Sequence, residues 1–149
     1  MESTSRTIVL VPIQTVITDV DTTEMVLPGR FTGVRVRFVT GAATGTSPTL
    51  NCYVQNGIRT AAAADIAQQD ATGAIEWNDF ISFAQATGAQ TQYAGVVASG
   101  NFVAAAQDRA LSVSTARNGP LGDRWRVRLD VGGTNPSFVT VSVVAEFLS

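Results

Sequence analysis

The chain has no histidine, one cysteine and, among its ten basic residues, no lysine. Without histidine, and with Cys52 alone, the Ser-His-Asp and Cys-His nucleophile machineries, the usual zinc sites and any internal disulfide are excluded. Cys52 sits in the run Leu50-Asn51-Cys52-Tyr53-Val54-Gln55, where a small buried hydrophobe is favoured over a reactive thiol. The lack of lysine rules out a phosphate-cradling loop at Gly41-Ala42-Ala43-Thr44-Gly45-Thr46, because such a loop needs a lysine after its last glycine. Charge is sparse as well: 15% of residues are charged and the formal net charge is -2, which argues against a basic face for nucleic acid. No stretch reaches the roughly 18 consecutive apolar residues of a membrane span. The richest, residues 94–106, is interrupted by Ser99, Gly100 and Asn101. The polar start, Met1-Glu2-Ser3-Thr4-Ser5-Arg6-Thr7, does not read as a signal peptide, so synthesis in the cytoplasm is expected.

What the chain does have is apolar content (45%), 13 glycines and a high share of Thr, Ser, Asn and Gln over 149 residues. That is enough to bury a core without disulfides or metal. The composition suits one β-rich domain over residues 8–149, preceded by a flexible arm at residues 1–7.

An Arg-Val-Arg strand appears twice. Val34-Arg35-Val36-Arg37-Phe38 leads into a Gly-rich stretch ending at Leu50, and Trp125-Arg126-Val127-Arg128-Leu129 leads into Gly132-Gly133-Thr134-Asn135-Pro136-Ser137-Phe138. Apolar and charged residues alternate in both, so each strand has one apolar and one arginine face. The following turn residues predict two β-hairpins, 33–40 with 49–56 and 125–131 with 137–148. A strand over 7–18 carries Pro12, which belongs at an edge or bulge. Residues 19–24 read as a polar connection and 25–27 as a short strand, with a turn at Pro28-Gly29.

Residues 61–69 are good helix-forming sequence, with Thr60 as N-cap and Gly73 as stop, and either one short helix within 60–70 or an ordered loop fits them. Residues 75–86 return to strand character around Trp77, with Asn78-Asp79 marking a bulge or bend. Residues 87–107 make a long excursion. The architecture predicted is all-β, an antiparallel β-sandwich of jelly-roll type with six to eight strands.

Candidate chemistry is thin. Asp19, Asp21 and Glu24 are a sparse oxygen cluster that lacks the remaining ligands and glycine of a calcium loop, so a solvated connection is favoured and bound calcium stays open. Glu76 and Asp79 flank Trp77, but residues three apart on a strand face opposite ways. A core tryptophan with exposed acidic neighbours is therefore expected rather than a catalytic pair. No cofactor, metal site or enzymatic activity is expected.

Arg35, Arg37, Arg126 and Arg128 are the candidate interface, a ladder on one side of the sheet able to engage carboxylates of another subunit. The competing reading is a solvent face with cross-strand partners such as Asn51, Tyr53 or Gln55. Arg6, in the arm, joins the interface candidates.

Three segments carry a resemblance: Thr46-Ser47-Pro48-Thr49-Leu50-Asn51-Cys52-Tyr53-Val54-Gln55, Glu76-Trp77-Asn78-Asp79-Phe80-Ile81-Ser82-Phe83-Ala84-Gln85, and Arg124-Trp125-Arg126-Val127-Arg128-Leu129 through Phe138. In that order they resemble small β-sandwich virion proteins of tailed bacteriophages, which include capsid decoration, or cement, proteins. The resemblance implies a structural role on the capsid exterior after assembly in the host cytoplasm. It also implies a homo-oligomer, often a trimer, with the major capsid protein as partner and with no nucleic acid or membrane bound. Other expectations are a component at the tail or head-tail junction, or a carbohydrate-binding module with Trp77, Tyr93 or Trp125 as a stacking platform.

Overall fold

The computed structural model describes residues 5–27, 31–97, 110–119 and 121–148. The strands in chain order are β1 (Ser5–Val16), β2 (Val20–Asp21), β3 (Met25–Val26), β4 (Gly33–Thr40), β5 (Ala43–Arg59), β6 (Ile75–Ser82), β7 (Gln90–Val97), β8 (Thr115–Ala116) and β9 (Arg124–Leu148). All pair antiparallel in one sheet, and no helix occurs among the described residues. The predicted all-β class is what the chain adopts.

β9 is the axis of the fold. On one side β4 pairs with it from Gly33↔Leu148 to Val39↔Ser142, and β5 continues along the same side from Ala43↔Phe138 to Asn56↔Trp125. On its other side β1, β2 and β3 follow one another, from Ser5↔Leu148 down to Val26↔Arg124. β7 flanks β4, while β6 and then β8 flank β5. Neither predicted hairpin forms. β4 does not pair with β5, and residues 125–148 are one strand, because each Gly-rich stretch lies against the other and bends a continuous ribbon instead of reversing a chain.

Ring contacts show how far the ribbon bends. Trp125 and Phe147 sit near opposite ends of β9, yet their centroids are 5.3 Å apart in an edge-on contact. An extended strand over that interval would separate them by about 70 Å, so β9 doubles back and lays one half of the sheet on the other.

The bend falls where backbone special to glycine is concentrated. Gly45 (φ 106°) and Gly133 (φ 107°) face the partner backbone so closely that a Cβ on Gly45 would lie 2.5 Å from the Asn135 carbonyl oxygen, and one on Gly133 2.7 Å from that of Ser47. Register shifts between Thr44, Thr46 and Thr49 absorb the turn.

The core lies between the two halves. Val34, Val36 and Phe38 of β4, Leu50, Cys52 and Val54 of β5, and Trp125, Val127 and Leu129 of β9 point inward at the two-residue period of a strand. Phe80 packs edge-on against Trp125 at 4.6 Å, and Phe38 meets Phe83 at 5.3 Å. The sheet nearly closes where Gly119 N–H donates to Val97 O and Val97 N–H to Asn118 Oδ1, so the sandwich approaches a flattened barrel.

Other expectations are corrected. Of the arm predicted at 1–7, residues 5–7 belong to β1 and pair with 146–148, while residues 1–4 lie outside the described set, as do the Pro28-Gly29 turn and residues 98–109 of the excursion. The short helix within 60–70 is absent. Thr60 instead closes a loop, its N–H and Oγ1 donating to Ala74 O while Gly73 N–H donates to Thr60 O. Asp65 accepts from Ala62 N–H at 2.7 Å and Thr72 N–H at 3.0 Å. A helix this short is marginal by itself, and the Asp65 carboxylate gives the backbone a competing partner.

Candidate functional site

Because the sheet folds over, the arginines occupy two outward faces rather than one ladder. On the face of β4, Arg35 lies in register between Gly95 and Glu146, and Arg37 between Tyr93 and Val144. Arg35 Nη2 is 3.1 Å from Glu146 Oε1, and Arg37 Nε donates to the Tyr93 hydroxyl at 3.2 Å. Both contacts are solvent-exposed, and the side chain of Arg35 is 60% accessible. Beside them, Gly33, Tyr93, Ala94, Val97 and Leu148 line an open apolar hollow of about 340 Å³. Arg6 is exposed on β1, where it pairs in register with Phe147.

The face of β9's other half is built differently. Arg126 pairs in register with Gln55, and Arg128 with Tyr53 on one side and Asp21 on the other. Arg126 Nε donates to Gln55 Oε1 at 2.6 Å, Gln55 Nε2 donates to Asp79 Oδ1 at 2.7 Å, and Leu111 N–H donates to Asp79 Oδ2 at 3.1 Å. The guanidinium of Arg126 stacks 4.8 Å above the Trp77 ring. Gln55 and Asp79 are each 6% exposed, so the relay is buried at its base.

Arg128 Nε donates to Asp130 Oδ1 at 2.9 Å, and that hydrogen bond raises the arginine's pKa. Burial, with Asp130 and Asp79 nearby, pushes the Tyr53 hydroxyl's pKa up. Together these residues line a concavity of about 420 Å³. The cross-strand partners Tyr53 and Gln55, weighed above for a plain sheet face, are both present on this side.

Local sequence explains this floor. The pairings Val54↔Ile81 and Gln55↔Asp79 leave Phe80 as an extra residue on β6, the bulge expected at Asn78-Asp79. It allows Phe80 and Ile81 both to be buried while Trp77 and Asp79 face outward. Gly57 provides the seat for Trp77, since a Cβ there would stand 2.8 Å from the indole. The expected core tryptophan with exposed acids is therefore reversed: Trp77 is half-buried on an outer face, Asp79 is buried, and Trp125 is the core ring.

The acidic stretch 19–24 is solvent-facing at Asp19 and Asp21, as expected of a solvated connection, but it is also fastened to β9. Asp19 Oδ1 accepts from Val131 N–H at 2.7 Å, Glu24 pairs with Arg124, and Asp21 Oδ2 lies 3.9 Å from Arg126 Nη1. Each carboxylate ties the β2–β3 segment to β9, and no group of three or more potential metal ligands gathers among the described residues. Cys52 is fully buried and its thiol pKa is pushed up by that burial.

No protein-family model matches the chain, and no curated protein or solved structure shows significant similarity to it. Sequence reasoning missed the cleft because its members come from β5, β6, β9 and residues 110–111, and only the Asn78-Asp79 bulge signalled that Asp79 would turn to the side of Trp77.

Proposed function

We propose that this chain is a structural subunit of a tailed-phage virion, a decoration or cement protein that forms a homo-oligomer, a trimer in the simplest case, and clamps the major capsid protein from the capsid exterior. The observation that supports this reading most is the open edge of the sheet. Among the described residues β1, β2 and β3 pair only with β9, and along them and the connection after β1 Val9, Ile13, Ile17 and Val26 are 57%, 75%, 63% and 68% exposed. Four large aliphatic side chains on one unpaired edge are costly in water and favour burial against a protein surface.

The same edge is guarded against open-ended strand pairing. Pro12 lacks an N–H, and register shifts fall between Val9 and Val11, Val11 and Gln14, and Gln14 and Val16. Contacts through side chains in a closed oligomer suit this edge better than fibre-like strand addition. Many such modest contacts held at once would supply the avidity a capsid clamp needs.

The test combines light scattering with cosedimentation on capsids lacking the protein. The wild type should be a defined oligomer that binds the shell. Ile13→Asp with Ile17→Asp should yield a folded monomer that does not bind. A wild-type monomer that leaves capsids untouched would sink the reading.

A further inference from the structure

We infer that the cleft between β5, β6 and β9 is a binding site for a neutral saccharide. Its volume, about 420 Å³, falls within the usual range for small-ligand sites. The formal charges of its lining cancel, Arg126 and Arg128 against Asp79 and Asp130. A lining of that kind gives no net attraction to phosphate, nucleic acid or an acidic peptide, whereas it offers donors and acceptors side by side.

A sugar ring presents that pattern in return: hydroxyls that both donate and accept around its rim, and an apolar C–H face. The C–H face fits an aromatic surface, and Trp77 and Tyr53 both border the cleft. The hydroxyls fit forked polar groups. A guanidinium carries five N–H donors, of which Asp130 takes the one at Nε of Arg128.

Preorganisation separates this cleft from an ordinary polar surface. Asp79 is held from both oxygens, by Gln55 and by Leu111 N–H, and Arg126 is held by Gln55 and by the Trp77 ring. Groups already fixed lose little conformational freedom when a ligand arrives. On the β4 face, among the described residues, the corresponding arginines make single exposed contacts with no such support. The inference does not rest on the assembly reading, and the variants that probe it are different ones.

The experiment is a saturation-transfer NMR and calorimetry panel with the full chain: neutral gluco-, galacto-, manno- and N-acetylglucosamine trisaccharides, with inorganic phosphate and hyaluronan as the anionic arms. At least one neutral trisaccharide should bind, and Trp77→Phe and Arg128→Ala should each weaken it about tenfold or more while Arg35→Ala leaves it unchanged. Trp125 is fully buried, so ligand-induced fluorescence change should come from Trp77 and vanish in Trp77→Phe. Absence of neutral binding, binding to the anionic probes only, or wild-type affinity in a folded Arg128→Ala variant overturns the inference. Arg128, half exposed on the surface, keeps the test decisive if Trp77→Phe fails to fold.

Discussion

Val34-Arg35-Val36-Arg37-Phe38 and Trp125-Arg126-Val127-Arg128-Leu129 are near-copies in sequence, yet their arginines end in different chemistry. Around Arg35 and Arg37 the neighbouring strands supply Gly95, Tyr93, Val144 and Glu146, and the result is an open face that carries the exposed Arg35–Glu146 ion pair. Around Arg126 and Arg128 they supply Gln55, Tyr53 and Asp21, with Asp79 and Trp77 one strand further, and the result is a buttressed cleft. Alternation decides which side chains point outward. The strands on either side decide what those side chains can do.

The two faces are back to back only because β9 doubles over, so the largest expected effect comes from attacking the seam. Trp125 touches Phe31, Phe80 and Phe147, and its Nε1–H donates to Gly122 O at 2.8 Å. Trp125→Ala should cost about 3–5 kcal/mol, measured by urea unfolding. A cost below about 1 kcal/mol would mean that the halves are held by their edges, and the contrast between the faces would lose its structural basis.

The direct comparison is a matched pair of truncations. Arg126→Ala removes a charge-assisted hydrogen bond and a stacked guanidinium above a buried Gln55–Asp79 pair, so a loss of about 2 kcal/mol is expected. Arg35→Ala removes an ion pair whose arginine is 60% exposed, which should cost no more than about 0.5 kcal/mol. Equal costs in denaturant titration would show that the support under Arg126 contributes nothing to stability.

How much of this could be read from the sequence follows from range. The all-β class, the outward arginines, the edge position of Pro12, the buried Cys52 and the bulge at Asn78-Asp79 depend on neighbours within a few residues, and each is found. The hairpins failed because Gly-rich stretches 41–46 and 132–136 carry the same local signal whether a chain reverses or a paired ribbon bends. What distinguishes the cases is that Gly45 faces Asn135 and Gly133 faces Ser47, a contact between distant segments. The cleft was illegible for the same reason: Arg126, Gln55, Asp79 and Leu111 are joined by register and a bulge, not by spacing.

The smallest expected effect concerns the loop at residues 60–74, which joins β5 to β6 and so hangs from the buttressed half alone. Asp65 is held to a pKa of about 2 chiefly by the hydrogen bonds from the Thr72 hydroxyl and N–H and from Ala62 N–H. A carboxyl whose folded pKa lies below its ordinary value stabilises the fold above that ordinary value, and the contribution is lost as pH falls through the folded one. Loop closure should therefore be complete at neutral pH, weaken below about pH 4 and disappear near pH 2. Amide exchange should report it, with Ala62 and Thr72 losing protection in that window before Val127 in the core does. Asp65→Asn should loosen the same two amides already at neutral pH and leave the Trp77 fluorescence unchanged. If Trp77 fluorescence shifts together with those amides, the loop braces the cleft, and the difference between the two faces extends beyond the sheet into the connection that β6 needs to reach its place beside β5.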